Sequence, residues 1–180
     1  MPALQQRPLG ANVLVVGGRA KSIGVYAAAI GRAMGAEVDY MDHNQERLAL
    51  AAKAGAIPIE GRIGSIGKKR YDVTVDATNK AEGLLHAIRT LANHGICSSA
   101  SIFFQRSIPV PMFLMYSRGL TLRSGLTNSR SVIPEIVKLI ATKKLRPEEL
   151  TSIQGAFDDA HELFRTKLTK VIVTRSSVFT

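Results

Sequence analysis

The chain has 180 residues, 46% of them hydrophobic and 21% charged, which suits one globular domain with a sizeable core. Its net charge is +10, but the 24 basic residues are scattered and aromatic residues make up only 6%, so no nucleic-acid partner is expected. The single cysteine, Cys97, excludes an internal disulfide framework and a multi-cysteine zinc cluster within this sequence. No segment approaches the roughly 18 apolar residues of a membrane span, and the first residues lack a signal-peptide core, so no membrane partner and a cytoplasmic location are expected.

The first structured segment is an apolar run, predicted to be a strand over 12–17, that leads into a glycine-rich turn, Gly17–Gly24. An apolar run without alternation is typical of a strand buried on both faces of a parallel sheet. The small apolar residues that follow predict a helix over 23–35. This order is typical of the start of a nucleotide-binding βαβ unit, in which glycines admit a pyrophosphate and the helix N-terminus attracts it. The alternative is a tight strand-to-helix connection in another kind of α/β protein. The strict G-x-G-x-x-G spacing is absent, because Arg19 and Ser22 occupy the third and sixth positions.

Beyond this unit, apolar periodicity and turn residues predict alternating strands and helices. Further strands are predicted at 37–41, 56–59, 71–76, 96–100, 120–124 and 170–174, and further helices at 44–54, 80–93, 129–142 and 158–166. A surface loop is predicted at 60–70, and an extended, proline-interrupted segment at 103–116. The alternation indicates an α/β fold of three layers, a doubly wound parallel sheet of about six strands in a single domain. The domain is placed at 12–175, with a lead-in segment at 1–11 and a tail at 176–180.

Candidate polar residues are few. Asp42 ends the second predicted strand, where an acid in a dinucleotide-binding unit accepts hydrogen bonds from the adenosine ribose. The four histidines lie far apart without metal-ligand spacing, so no metal site is predicted. His86 and His94 are expected on one helix as surface or cap residues. His161 is expected at a solvated helix position, and His43 either in a surface loop or near the adenosine.

The order of these motifs resembles the cofactor domain of the medium-chain dehydrogenase/reductase superfamily, which includes the zinc-dependent alcohol dehydrogenases. The resemblance runs from about Gly10 to Arg175. It rests on Val13–Gly17, Gly35–Val38, Asp42, Arg47–Leu48, Gly55–Ala56, Asp72–Thr78, Leu91–Gly95, Lys143–Pro147 and Lys170–Val173. It implies a Rossmann fold that binds a nicotinamide dinucleotide and belongs to an oxidoreductase. The GroES-like catalytic domain of that family, with its zinc ligands, is not matched by any part of this sequence and is the missing partner.

The resemblance also implies a set of cofactor-binding residues, taken position by position. They are Gly17, Gly18, Ser22, Ile23 and Gly24 in the phosphate turn, Asp42 and Arg47 near the adenosine, Ala77, Thr78, Asn79 and Lys80 after the fourth strand, and Ser99, Ala100 and Ser101 after the fifth. The acid at Asp42 favours NAD over NADP, because it disfavours the extra 2′-phosphate. No catalytic residue is predicted, so the chain alone is expected to be inactive. A homodimer is implied through the region 112–126, where relatives often pair edge strands.

Two alternatives remain open. The turn Gly17–Gly24 also resembles that of the short-chain dehydrogenase/reductase family, which needs a Tyr-x-x-x-Lys pair for proton transfer. No lysine stands four residues after Tyr26, Tyr40, Tyr71 or Tyr116. The second alternative is a non-enzymatic basic interaction module, suggested by the net charge of +10 and recognisable by salt-sensitive DNA binding.

Overall fold

The structure is a computed structural model that describes residues 10–61, 63–64, 67–126 and 128–175. Most of the predicted lead-in and all of the predicted tail, 176–180, lie outside these residues. The strands are β1 (Asn12–Val16), β2 (Glu37–Asp42), β3 (Ile57–Glu60), β4 (Tyr71–Asp76), β5 (Leu91–Ser99), β6 (Thr121–Arg123), β7 (Ile153–Ala156) and β8 (Val171–Thr174). The α-helices are α1 (Lys21–Ala33), α2 (Gln45–Lys53), α3 (Ala81–Arg89), α4 (Met112–Arg118), α5 (Ser129–Ala141) and α6 (Ala160–Arg165), and two 3₁₀ helices span Pro147–Leu150 and Phe157–Asp159.

Six strands form one parallel sheet in the order β3-β2-β1-β4-β5-β6. The register of β1 aligns Val16 with Met41 of β2 on one side and with Asp76 of β4 on the other. The strand order reverses between β1 and β4, and in such sheets a crevice opens at the carboxyl ends of these two strands. The predicted doubly wound parallel fold is therefore confirmed.

The first strand is buried because helices cover both faces of the sheet. Val13 and Val15 point into one apolar cluster with residues of α1, including Ala28. Leu14 and Val16 point into a second cluster, with Ile88 of α3. Side chains of a strand alternate between its faces, so a strand covered on both sides is apolar at successive positions. This explains the unbroken apolar run that the sequence shows at β1.

Three local predictions between β4 and β6 were wrong. The segment predicted to be extended contains α4, which begins after Pro111 and ends at Gly119 in the left-handed conformation, with φ of 61°. The helix predicted over 80–93 ends at Arg89, and β5 begins at Leu91 with an irregular register against β4. His94 consequently lies in a strand, with φ of 59°, and does not share a helix with His86. His86 is also buried, only 4% exposed, rather than a surface residue.

The last predicted strand exists, but it does not join the main sheet. β8 pairs in parallel with β7 to form a separate two-stranded sheet, and the sequence analysis did not predict β7. This small sheet is attached to the main domain through Glu46 on α2. The Glu46 carboxylate accepts hydrogen bonds from the Thr169 N–H at 3.1 Å and from Thr169 Oγ1 at 2.9 Å. The Lys21 ammonium adds a bond to the Lys167 carbonyl at 3.1 Å.

Candidate cofactor site

A cavity of about 640 Å³ opens at the carboxyl ends of β1, β2, β3 and β4. It is lined by Val16, Gly17, Gly18, Arg19, Lys21, Met41, Asp42, His43, Arg47, Gly61, Ile63, Thr78 and Lys80. Ligand pockets of proteins commonly enclose about 300–1,000 Å³. The cavity therefore lies where a doubly wound fold binds its ligand and has the size of a small-molecule site.

The turn between β1 and α1 packs closely against the turn that follows β4. A Cβ atom on Gly18 would lie 2.8 Å from Thr78 Cα, so a side chain there would push the two turns apart. The N–H groups of Arg19 and Ala20 donate to the carbonyls of Thr78 and Ala77, at 3.3 and 3.1 Å. Two N–H groups of the turn are thus used to hold it in place, and both already have carbonyl acceptors within the protein.

The cavity lining is strongly cationic. Among the described lining residues, Arg19, Lys21, Arg47 and Lys80 contribute four cationic side chains, and Asp42 contributes the one carboxylate. Arg19, Lys21 and Lys80 are exposed, and Lys21 is the first residue of α1. The N-terminus of a helix carries a partial positive charge, which adds to these side chains. The combined field attracts an anionic ligand to this edge of the sheet.

The carboxylate of Asp42 is held at the centre of a buried network at the end of β2. Arg47 donates to both of its oxygens, from Nε to Oδ2 and from Nη2 to Oδ1, each at 2.7 Å. The Tyr40 hydroxyl donates to Oδ2 at 3.0 Å, and the N–H groups of His43 and Asn44 donate to Oδ1 at 2.7 and 3.0 Å. Asn44 positions Arg47 as well, because its side chain caps α2 by accepting a bond from the Arg47 N–H at 3.0 Å.

The charges of this network are mutually stabilised. Burial alone would raise the pKa of Asp42, but the bonds from Arg47 and Asn44 outweigh it and hold that pKa below its usual value. The hydrogen bond to Asp42 raises the pKa of Arg47. Burial and the adjacent carboxylate raise the pKa of the Tyr40 hydroxyl, so it stays a hydrogen-bond donor. The network is therefore an ion pair with a neutral phenol beside it.

A second buried carboxylate, Asp76, fixes the turns after β4 and β5. It accepts hydrogen bonds from Thr78 Oγ1 at 2.6 Å, from the Thr78 N–H at 3.0 Å and from Ser99 Oγ at 3.0 Å. Ser101 Oγ accepts a bond from the Asn79 N–H at 2.8 Å. These bonds give the side chains of Thr78, Ser99 and Ser101 structural partners within the protein.

The structure brings together some of the predicted cofactor residues and separates others. Gly17, Gly18, Asp42, Arg47, Thr78 and Lys80 line the cavity. Ser22, Ile23, Gly24, Ala77, Asn79, Ser99, Ala100 and Ser101 are not among the lining residues. Gly24 serves packing instead, since a Cβ there would lie 3.3 Å from the Ala77 methyl group and 3.4 Å from the Tyr40 ring.

The cavity also contains residues that sequence reasoning did not assign to the site, above all Lys21, Met41, Gly61 and Ile63. Gly61 follows β3 directly, and its N–H donates to the Asp42 carbonyl at 3.3 Å. Its position at the carboxyl end of a parallel strand was a usable signal. Among the described residues, no three His, Cys, Asp or Glu side chains are grouped so that they could hold a metal ion. Within the same part of the chain, every helix is too short or too polar to cross a membrane.

A family model described as zinc-binding dehydrogenase matches residues 22–142. The chain belongs to this family. It corresponds to the nucleotide-binding part of the medium-chain, zinc-type alcohol dehydrogenases, as the resemblance implied. No match was found among curated protein sequences.

Solved structures extend the comparison. Alcohol dehydrogenase TADH from Thermus sp. ATN1 is 28% identical with a TM-score of 0.83, and the match covers 96% of this chain and 55% of that one. Acetophenone reductase from Geotrichum candidum, in complex with NAD, is 18% identical with a TM-score of 0.75, covering 95% and 50%. A zinc-binding dehydrogenase from Sinorhizobium meliloti, bound to NADP, is 20% identical with a TM-score of 0.78, covering 92% and 53%. The chain thus spans about half the length of the structures it matches.

Proposed function

We propose that the cavity binds the adenosine half of a nicotinamide dinucleotide. The observation that carries the proposal is the placement of Asp42 beside the Gly17–Gly18 turn at the carboxyl ends of β1 and β2. A Cβ atom on Gly17 would collide with Asp42 Oδ2 and Tyr40 Oη, so the first glycine and the acid lie in direct contact. An acid in this position is suited to accept hydrogen bonds from ribose hydroxyls.

The cationic part of the lining suits the pyrophosphate. The engaged N–H groups of Arg19 and Ala20 leave fewer backbone donors than a glycine-rich turn offers elsewhere. The side chains of Arg19, Lys21 and Lys80 compensate, because each carries a positive charge at the cavity. We therefore assign the phosphate contacts to these side chains together with the first turn of α1.

Within this proposal, NAD is the preferred cofactor over NADP. A 2′-phosphate on the adenosine ribose would lie close to the carboxylate of Asp42, and two neighbouring anions repel each other. The pKa of Asp42 lies below its usual value, so the carboxylate is ionised at neutral pH. The negative charge of Asp42 therefore supports discrimination against NADP through the 2′ position of the adenosine ribose.

Calorimetric titration of the chain with NAD and with NADP tests both claims. We expect NAD to bind more tightly, and Asp42→Asn to weaken NAD binding about tenfold while leaving NADP binding unchanged or stronger. Asp158→Asn serves as the control, because Asp158 is exposed and does not line the cavity. Circular dichroism verifies that each variant is folded. Equal affinities for the two cofactors, or an unchanged NAD affinity in Asp42→Asn, would contradict the assignment.

The complete protein is proposed to be an oxidoreductase of the alcohol dehydrogenase type, with a second domain that holds the substrate and, where zinc is used, the zinc ligands. The span of about half of each matched structure supports this, since those structures contain a comparable length of further chain. We propose a cytoplasmic location, which the single buried thiol of Cys97 supports. The coding sequence adjacent to this chain tests the proposal of a second domain directly, because it should encode a GroES-like domain.

We also propose that the chain forms a homodimer through the region 112–126. α4 exposes Met112, Phe113 and Tyr116 by 65, 83 and 86%, and β6 is an edge strand of the main sheet. An exposed edge strand beside apolar side chains favours pairing with a second copy. In analytical ultracentrifugation we expect a dimer that Tyr116→Lys dissociates and that Phe164→Lys, on exposed α6, leaves intact. A monomeric wild-type chain at high concentration would refute the dimer.

A further inference from the structure

The carboxylate that the proposed function assigns to the ribose is already occupied in this structure. The side chain of Asp42 has no exposed surface, and that of Arg47, which covers it, is 9% exposed. Arg47 forms the two-bond fork that guanidinium groups make with carboxylates, at 2.7 Å for each bond. A ligand in the cavity therefore meets Arg47 before it meets Asp42.

The hydrogen-bonding capacity of the carboxylate is also used in full. Five donors reach its two oxygens, two of them from Arg47 and the others from the His43 N–H, the Asn44 N–H and the Tyr40 hydroxyl. A carboxylate offers about four lone-pair sites, so two further hydroxyl donors cannot be added to it. A ribose can bind here only if an existing donor leaves.

Arg47 is the donor that is able to leave. The His43 and Asn44 donors belong to the backbone at the start of α2, and Tyr40 is wholly buried, with 0% exposure. The carboxylate cannot turn toward the cavity instead, since it lies against Gly17 without room for even a Cβ atom between them. The guanidinium, by contrast, lies on a long side chain that lines the cavity.

We infer that Arg47 is an internal competitor of the cofactor ribose for Asp42, and that it lowers both the affinity for NAD and the discrimination against NADP. The inference rests on the proposed function. NAD binds the form in which Arg47 has turned away, so its apparent affinity is lowered by the fraction of molecules in that form. NADP is affected differently, because the displaced guanidinium can bind the 2′-phosphate. Arg47 thereby weakens NAD binding and supports NADP binding.

Lysine at this position tests the competition while keeping the charge beside Asp42. An ammonium group cannot form the two-bond fork, so Arg47→Lys should compete less well with the ribose. We expect NAD affinity to rise about 3–10-fold in this variant, while NADP affinity stays the same or falls, measured by calorimetry. Arg47→Met should enlarge the NAD gain where it folds, as checked by circular dichroism. A gain in affinity is a result that structural damage does not produce.

Arg32→Lys provides the matched control, because Arg32 bonds to the Ala36 carbonyl and does not line the cavity, so NAD affinity should not change. An unchanged NAD affinity in Arg47→Lys would overturn this inference but not the proposed function. A weaker NAD affinity would overturn it as well and would show that Arg47 helps to hold the cofactor. Equal gains for NAD and NADP would overturn it as well. If wild type and variants all fail to bind either cofactor, the proposed function itself fails, and this inference with it.

Discussion

Replacement of Asp42 by Asn tests how strongly the buried network stabilises the fold. The variant keeps the shape of the side chain but removes the charge that faces Arg47, whose side chain is 9% exposed. Removal of one partner from a buried ion pair costs about 3–5 kcal/mol, because the remaining charge stays buried without compensation. Asn also places an NH₂ group where Asp42 has an oxygen that accepts hydrogen bonds. We therefore expect a loss near the middle of this range, which lowers the melting temperature by about 8–16 °C.

Urea unfolding of wild type and variant at neutral pH measures this loss. The control is Glu149→Gln, which breaks the Arg146–Glu149 pair at 3.1 Å, where the side chains are 56% and 33% exposed. Exposed pairs contribute about 0–1 kcal/mol, so the control should be nearly neutral. A loss below about 1 kcal/mol in Asp42→Asn would refute the reasoning, since the pair would then stabilise no more than a surface pair.

The difference in the free energy of unfolding between wild type and Asp42→Asn should depend on pH in a direction that the pKa of Asp42 determines. The pKa of Asp42 is lower in the folded protein than its usual value of about 3.9. The contribution of its charge is therefore complete above about pH 4 and is lost as pH falls through the folded pKa. The difference between wild type and Asp42→Asn should stay constant between about pH 5 and 8 and shrink below about pH 4.

Three further results are expected. Burial lowers the pKa of His86 below its ordinary value of about 6.5. The free energy of unfolding should therefore fall as pH decreases below that value, by at most about 1.4 kcal/mol per pH unit. Urea unfolding of His86→Gln should show a weaker dependence on pH than wild type, and parallel pH profiles would contradict this. Burial raises the pKa of Cys97 to about 12, so a thiol reagent should label it only after denaturation, and rapid labelling of the folded chain would disagree with its burial. The purified chain should not oxidise alcohols or reduce aldehydes, with or without zinc, as measured by NADH absorbance, because hydride transfer needs a group that polarises the substrate oxygen. Turnover would reveal a catalytic group not recognised here.

The sequence predicted the main sheet well because most of its strands are rich in apolar residues and lie between turn residues. β1 is apolar from Val13 to Val16, and β4 carries Tyr71, Val73 and Val75 between polar residues. Helices cover both faces of β1 and β4, so apolar side chains are needed on both faces of these strands, and this local requirement is visible in the sequence. α4 was missed because Pro111 and its neighbours suggested an extended chain, whereas proline is tolerated at the start of a helix. β7 was missed because a strand of four residues that pairs only with β8 depends on a contact distant in sequence.

The site was predicted in part for a similar reason. Gly17, Gly18 and Asp42 are recognisable from their order along the chain, and the parallel register brings them together. The burial of Asp42 was not predicted, although Tyr40 and Asp42 lie two residues apart on one strand and so point to the same face. The contact with Arg47 depends on where α2 begins, and the Asn44 cap determines that start. Such a contact requires the three-dimensional arrangement of strand end and helix start.

The central claim is that the cavity holds the adenosine half of a nicotinamide dinucleotide, and competitive calorimetry with the two halves of NAD tests it most directly. ADP-ribose contains the ribose that Asp42 should bind and the pyrophosphate that Arg19, Lys21 and Lys80 should attract. We predict that ADP-ribose binds the chain with an affinity within about tenfold of NAD and competes with it, and that nicotinamide mononucleotide shows no measurable binding. Binding of the mononucleotide without binding of ADP-ribose, or the absence of NAD binding, would contradict the account.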